Sequence, residues 1–258
     1  MLAKHQVADF YRRLYSAKCA EAAAQFLSPD YVEHQAGTGF SKSGLLDHVT
    51  RRLADHPDHQ VIIHRTIAQG DFVFLHVEER LTPGETLARG ELFRLDGETI
   101  NEHWSAHVLD KKPRSNPHGT FDGPDVDRAT DNAARHLRRF DQLDRRGFGE
   151  FDFEAFKESR TARYIQHSAT GRDTVQGLVD VLIHLKQIGT RMTVDIKRNL
   201  TDGDFIVTHR LYRTHPPFPE FKMINVFDLF RITDDGRADE HWDIMEEIAA
   251  EADIAKMF

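Results

Sequence analysis

The sequence predicts an α+β chain of two tandem domains, each with helices packed on a strongly bent antiparallel sheet to form a cone. Two observations predict it. First, the chain repeats itself over a long period. Tyr31-Val-Glu-His34 returns as Tyr164-Ile-Gln-His167, and Gly70-Asp71 with an apolar run ending at His76 returns as Gly203-Asp204 with a run ending at His209, each 133 positions on. Glu102-His103-Trp104 returns as Glu240-His241-Trp242, 138 positions on, so one hairpin has changed length. A period this long means whole domains, not a solenoid of short units. Second, in each copy helical periodicity gives way to strand periodicity, the order of an α+β domain.

In the first copy, Val7, Phe10, Tyr11, Leu14 and Tyr15 have the spacing of an amphipathic helix. Ala20 to Phe26 continues as a short helix stopped by Ser28-Pro29-Asp30, and Ser43 to Leu53 reads as a third helix. Strands follow over Val61–Ile67, Phe72–Val77, Leu87–Leu95 and Ile100–Leu109, joined by turns at Gln69-Gly70-Asp71, Pro83-Gly84 and Asp96-Gly97. The Pro- and Gly-bearing stretch after Lys111 reads as a linker. These readings divide the chain into a domain over 1–112, a linker over 113–126 and a second domain over 127–258.

The second copy repeats the order. Arg128 to Leu143 is read as a helix, Arg145 to Gly149 as a loop, Phe151 to Phe156 as a short helix and Val175 to Ile188 as an amphipathic helix. Strands are read at Thr193–Leu200, Phe205–Tyr212, Phe221–Ile232 and Arg237–Ile244. The longer loop Thr214-His-Pro-Pro-Phe-Pro219 accounts for the changed offset, and Met245 to Met257 is read as a closing helix.

Composition bounds the function. Of 258 residues, 40% are hydrophobic and 29% charged, with a formal net charge of −8 and no basic stripe, which argues against nucleic acid and anionic membranes as partners. One cysteine, Cys19, allows no intrachain disulfide and no cysteine-based metal site, and fits a reducing, cytoplasmic setting. Charges at Lys4, Asp9, Arg12, Arg13, Lys18 and Glu21 leave no secretory apolar core near the start, and no apolar stretch approaches membrane-spanning length. There is no Walker loop, Gly-x-Gly-x-x-Gly or Gly-x-Ser-x-Gly, so neither a nucleotide cofactor nor a serine-hydrolase elbow is expected. The 16 histidines include no His-x-His or His-Glu-x-x-His, and His56-Pro-Asp-His59 reads as a short exposed loop, so no cofactor and no metal are expected.

The candidate chemistry lies in the last hairpin of each copy. A turn centred between Asp234 and Asp235 places Asp228 opposite His241, and a turn centred on Gly97 places Glu91 opposite His103. A carboxylate beside an imidazole fixes its tautomer and raises its pKa, as a general acid or base near neutrality requires. Side chains alternate along a strand, so His241 and Asp243 share a face while Glu240 and Trp242 share the other. The first copy has Ser105 where the second has Asp243 and so lacks an acid. His209 shares a strand face with Phe205 and Val207, as His76 does with Phe72 and Phe74. His34 and His167, three residues after a Tyr, lie where a pocket mouth would be.

Tyr-Ile-Gln-His, Gly-Asp-Phe-Ile-Val-Thr-His, Phe-Asp-Leu-Phe-Arg and Glu-His-Trp-Asp together resemble the SnoaL-like family of the nuclear transport factor 2-like superfamily. The resemblance covers nearly all of both copies and is closest over about 125–258. It implies a deep apolar pocket and cofactor-free acid–base chemistry next to a carbonyl, as in the family's polyketide cyclases. Carried onto this chain, it implies Asp228 and Asp243 as acids, with His241, His209 and His167 as polar partners. Tyr164, Phe205, Val207 and Phe230 would contribute to ligand binding, and His34, His76, Glu91 and His103 are the corresponding groups of a degenerate first copy. The expected activity is aldol cyclisation, isomerisation or dehydration of a small hydrophobic carbonyl compound. The alternatives are a non-catalytic binder of small hydrophobic ligands and a hydrolase using the His/Asp cluster. The resemblance also implies an intrachain pseudo-dimer and leaves room for a homo-oligomer.

Overall fold

The computed structural model describes residues 2–15, 20–81, 83–110, 114, 116–168, 171–215, 223–249 and 254–258. The chain divides into two compact units, one of Met1–Asp110 with Ala250–Phe258, the other of Lys111–Ala249.

In the first unit, α1 (Leu2–Tyr15), α2 (Ala20–Ala24) and α3 (Lys42–Asp55) accompany β1 (Leu27–Glu33), β2 (Gln60–Gln69), β3 (Phe72–Leu81), β4 (Glu85–Asp96) and β5 (Thr99–Leu109), and the short α7 (Ile254–Met257) belongs to the same unit. The sheet order is β1-β5-β4-β3-β2, with β1 parallel to β5 and the other pairs antiparallel. Ser41 caps α3 by accepting from the Gly44 amide. The apolar stripe of α1 (Val7, Phe10, Tyr11 and Leu14) packs with Leu45 and Val49 of α3 on Val73, Leu75 and Val77 of β3 and Phe93 of β4.

The second unit repeats this plan with α4 (Asn132–Gly149), α5 (Phe153–Glu158), β6 (Arg160–Gln166), α6 (Thr174–Gln187), β7 (Arg191–Asp202), β8 (Phe205–His215), β9 (Met223–Ile232) and β10 (Ala238–Glu247). Its sheet order is β6-β10-β9-β8-β7, with β6 parallel to β10. Ala133 and Phe140 of α4 pack with Tyr164, Ile206, Phe230 and Ile232 on the helix-covered face of the sheet. The chain is thus two tandem α+β units of one topology.

Several sequence readings need correction. β1 and β6 were not expected; each is a short strand laid parallel against the last strand of its unit, and Pro29 is tolerated there because the strand lies on the sheet edge. Arg145 to Gly149 is not a loop but the last turns of α4, whose buried face includes Asp144 and Gly147 and so does not read as apolar. The closing helix does not begin at Met245, because β10 continues to Glu247, paired with Ile224; among the described residues it covers Ile254–Met257. Residues 116–126 are part of the second unit rather than a free linker: Asn116 donates to the Ser168 and Gly171 carbonyls at 3.1 and 2.8 Å, and Trp242 Nε1 donates to the Asp122 carbonyl at 3.0 Å. The end of the chain, 250–258, groups with the first unit. Most of the longer hairpin loop, from Pro216 to Pro219, lies outside the described residues.

Candidate active site

The registers of both last hairpins differ from expectation. Asp243 lies opposite Asp228 and His241 opposite Phe230; in the first unit Ser105 lies opposite Glu91 and His103 opposite Phe93. The cause is an irregularity near each turn, between Ala238 and Glu240 and between Arg94 and Leu95, which shifts the pairing. The carboxylates still reach the histidines, diagonally rather than straight across. His241 Nε2 is 3.0 Å from Asp228 Oδ1, and His103 Nε2 is 2.7 Å from Glu91 Oε2. Each imidazole also stacks on the Phe opposite it, with ring centroids 4.4 Å apart in both units.

In the second unit these groups line a cavity of about 630 Å³ between helices and sheet. Phe148 of α4 and Leu178, Val181, Leu182 and Leu185 of α6 supply an apolar wall. Met192, Ile224 and Met245 of the sheet continue it, and Arg160, Tyr164, Gln166, Tyr212, Asp228, His241 and Asp243 supply the polar groups. The volume and the apolar wall with few polar groups suit a small organic ligand. Asp243 is buried, and burial pushes its carboxyl above the usual range, with the Asp228 charge adding to the rise. The charge of His241 and hydrogen bonds from Ser168 and Gln166 oppose it.

Gln166 connects the acid to the imidazole. Its Nε2 donates to Asp243 Oδ2 at 3.0 Å, while its Oε1 accepts from Tyr164 Oη at 2.7 Å and faces His241 Nδ1 at 2.9 Å. Behind Asp228, Tyr212 Oη donates to Asp228 Oδ2 at 3.1 Å and itself receives Arg210 Nη1 at 3.2 Å. Arg210 and Arg160 both pair with Asp144, at 2.8 and 2.6 Å. Burial would raise the Asp144 carboxyl, yet the two guanidiniums hold it below its ordinary value.

Asp228, His241, Asp243 and Tyr164 thus meet in one place, with Phe230 stacked on the imidazole. His209, His167, Phe205 and Val207 do not join them. His209 is on the opposite sheet face, stacked on Phe227 at 4.3 Å with Nε2 2.9 Å from Asn225. His167 stacks on Trp242 at 4.5 Å and faces Glu240 at 2.9 Å. Phe205 packs against Trp242 too, and Val207 lies opposite Leu229. Sequence reasoning missed Gln166, Tyr212, Arg160, Arg210 and Asp144. For Gln166 a signal existed, since Glu33 stands at its place in the first copy.

The first unit fills the same place with ion pairs. His103 Nδ1 is 3.0 Å from Glu33, and Glu91 accepts from Tyr11 Oη at 3.0 Å and from Arg89 Nε. Arg89 reaches Glu79 at 3.0 Å and Ser105 at 3.1 Å. Glu79 also meets His59 at 2.7 Å, so His59 is a buried partner and not part of an exposed loop. Burial alone would lower the His103 pKa, but the two glutamates outweigh it and raise it to about 9. Burial would raise Glu91, but Arg89 and His103 hold it down at about 2. His76 and His34 lie on the other face, against Arg65 at 3.1 Å and stacked on Trp104 at 4.7 Å.

A second depression in the second unit, of about 770 Å³, is lined by Asp127, Arg163, Asp204, Arg231, Asp235 and Arg237 among others. Its arginines pair with Asp239, Glu240 and Asp235, and burial also raises the Asp204 carboxyl in its wall, which accepts the Asp127 amide at 2.9 Å. Among the described residues no cluster of His, Cys, Asp and Glu is arranged to hold a metal, and no helix is long and apolar enough to cross a membrane.

Comparison with solved structures finds IdmH from Streptomyces antibioticus at 20% identity, covering 42% of this chain and 90% of that one with a TM-score of 0.36. TsrD from Streptomyces laurentii matches at 16% identity, covering 46% and 90%, with a TM-score of 0.38. An LEH-like epoxide hydrolase from M. tuberculosis matches at 19% identity, covering 46% and 85%, with a TM-score of 0.37. Comparison with curated proteins finds no match. The family model described as SnoaL-like polyketide cyclase matches residues 5–111, the first copy rather than the second where the resemblance was placed closest. The first unit is thus similar to the SnoaL-like polyketide cyclase family over most of its length, and the second unit repeats its topology.

Proposed function

We propose that the second unit is a cofactor-free acid–base catalyst acting on a small, neutral, largely apolar carbonyl compound. The reaction class is proton abstraction and return beside the carbonyl, as in aldol cyclisation, isomerisation or dehydration. The observation that carries this reading is Asp243, a buried carboxyl raised above its ordinary range at the wall of an apolar cavity, next to the Asp228–His241 pair. A carboxylate desolvated in this way is a stronger base than one in water, and its conjugate acid can return the proton. Arg160 lines the same cavity and is held by Asp144 at 2.6 Å. It offers a fixed cation to an oxygen on which enolate charge develops. The buried arginines Arg160 and Arg210 are paired with Asp144 and Asp228, and the remaining lining charges, Arg172 and Asp243, are of opposite sign, which favours a neutral substrate.

The test is a thermal-shift screen of the whole chain against polyketide-like and terpenoid ketones, wild type beside Asp243→Asn, with product analysis by mass spectrometry. A ligand raises Tm by mass action whether or not it reacts. The expected result is stabilisation of both proteins with conversion only by the wild type. Equal conversion by Asp243→Asn sinks the assignment of the base. Stabilisation without conversion by either supports the second reading, a non-catalytic binder, which the apolar wall also suits.

A further inference from the structure

We propose that Gln166 is a positioning residue of the second unit's site, its amide tying Asp243 to His241, and that Glu33 at the same place in the first unit abolishes that arrangement. An amide has a donor end and an acceptor end, and both are used here. The donor end meets Asp243 Oδ2 at 3.0 Å. The acceptor end faces His241 Nδ1 at 2.9 Å and takes the Tyr164 hydroxyl at 2.7 Å. Nδ1 thus donates to Oε1, and Nε2 faces Asp228 Oδ1 at 3.0 Å. The side chain is 1% exposed, and a Cβ on Gly171 would come within 3.0 Å of its Nε2, so the covering loop approaches it closely.

A glutamate cannot serve both ends, because an ionised carboxylate only accepts. The first unit shows the consequence. Glu33 takes His103 Nδ1 at 3.0 Å and the Tyr31 hydroxyl at 2.5 Å, and the position of Asp243 is held by Ser105, which pairs with Arg89 at 3.1 Å. An aspartate there would face the Glu33 carboxylate with no donor between them. Gln goes with Asp in one copy and Glu with Ser in the other, as the hydrogen-bond chemistry requires. His241 is otherwise faced by Asp228 and Phe230 from β9, by Asp243 on its own strand and by Tyr164 from β6. Arg210 and Tyr212 of β8 and Asp144 of α4 stand behind Asp228. None of these joins the imidazole to Asp243 as Gln166 does.

The inference rests on the acid–base reading for its functional meaning, but its test does not use turnover. The whole chain, labelled with 13C at the aspartate carboxyls, is titrated by NMR, with Asp243→Asn identifying the Asp243 signal. In Gln166→Met, which keeps the bulk and removes the donor, the Asp243 midpoint rises by about one pH unit. In Gln166→Glu it rises further, because a carboxylate replaces the donor. A residue that merely fills space would leave the midpoint where it is, and a wild-type midpoint in both variants overturns the proposal. Should neither variant fold, Glu33→Gln tests the same position in the first unit. The His103 midpoint, about 9 in the wild type, should fall by about one pH unit, and an unchanged value overturns the proposal. If turnover survives Asp243→Asn while these midpoints move, the catalytic reading fails and the positioning role stands.

Discussion

Asp144 stands between two buried guanidiniums, with Arg160 at 2.6 Å and Arg210 at 2.8 Å, and all three residues are at most 2% exposed. Removing one member of such a group strands the others without compensation in a low dielectric. Asp144→Asn keeps the shape and removes the charge, and should destabilise the second unit by about 3–5 kcal/mol. Each unit has one tryptophan, Trp104 or Trp242. Urea unfolding followed by Trp242 fluorescence in a Trp104→Phe background therefore reads this unit alone, and a loss below about 1 kcal/mol would mean the triad is not an energetic unit. At this scale the sequence disclosed which residue types gather, and less well how they meet. Alternation along the strands put His241 beside Asp243 and kept Trp242 away from both. The pairing across the hairpin was misplaced because a bulge near the turn leaves no mark in the pattern. His209 and His167 were grouped with the acids because recurrence says nothing about which sheet face is covered by helices.

The β2–β3 and β7–β8 hairpins turn through Gly70 and Gly203, both at φ +60°. In this region a side chain is strained whatever space it has. A Cβ on Gly70 meets nothing within 4 Å, whereas one on Gly203 would sit 2.1 Å from the Asp127 carbonyl oxygen. Gly70→Ala should then cost the first unit about 1 kcal/mol, and Gly203→Ala should cost the second roughly 2–3 kcal/mol, strain and overlap together. Chemical denaturation of the two single variants checks the order, and equal losses would show that the Asp127 segment yields. These hairpins were legible because their turns carry Gly-Asp in both copies and their strands alternate cleanly. β1 and β6 were not, being seven residues each, parallel, and paired on one side only. α4 was cut short because its buried face spends positions on Asp144 and Gly147, where periodicity looks for apolar residues.

Two units of one topology place different contents between helices and sheet. The second keeps a cavity with Gln166 and Asp243. The first has Glu33, Ser105 and a run of buried ion pairs through His103, Glu91, Arg89 and Glu79. This difference makes the stability of the first unit depend on pH in a defined way. The His103 pKa stands at about 9 in the folded chain against an ordinary value near 6.5, so the native state binds its proton more tightly than the unfolded one. That stabilisation is complete below about pH 6.5, fades as pH rises through 9, and amounts to at most on the order of 3 kcal/mol. Glu91, held at about 2, acts in the opposite sense: its contribution is present above roughly pH 4.5 and is lost as pH falls toward 2. The first unit should therefore be most stable between about pH 4.5 and 6.5 and should weaken on both sides. Urea midpoints from about pH 2 to 10, read by Trp104 in a Trp242→Phe background, check this. The alkaline loss should shrink in Glu33→Gln, which removes one of the two carboxylates that hold the proton on His103. A flat alkaline limb in the parent protein would mean that His103 is neutral in the fold, and that the buried network is held together by hydrogen bonds rather than by charge.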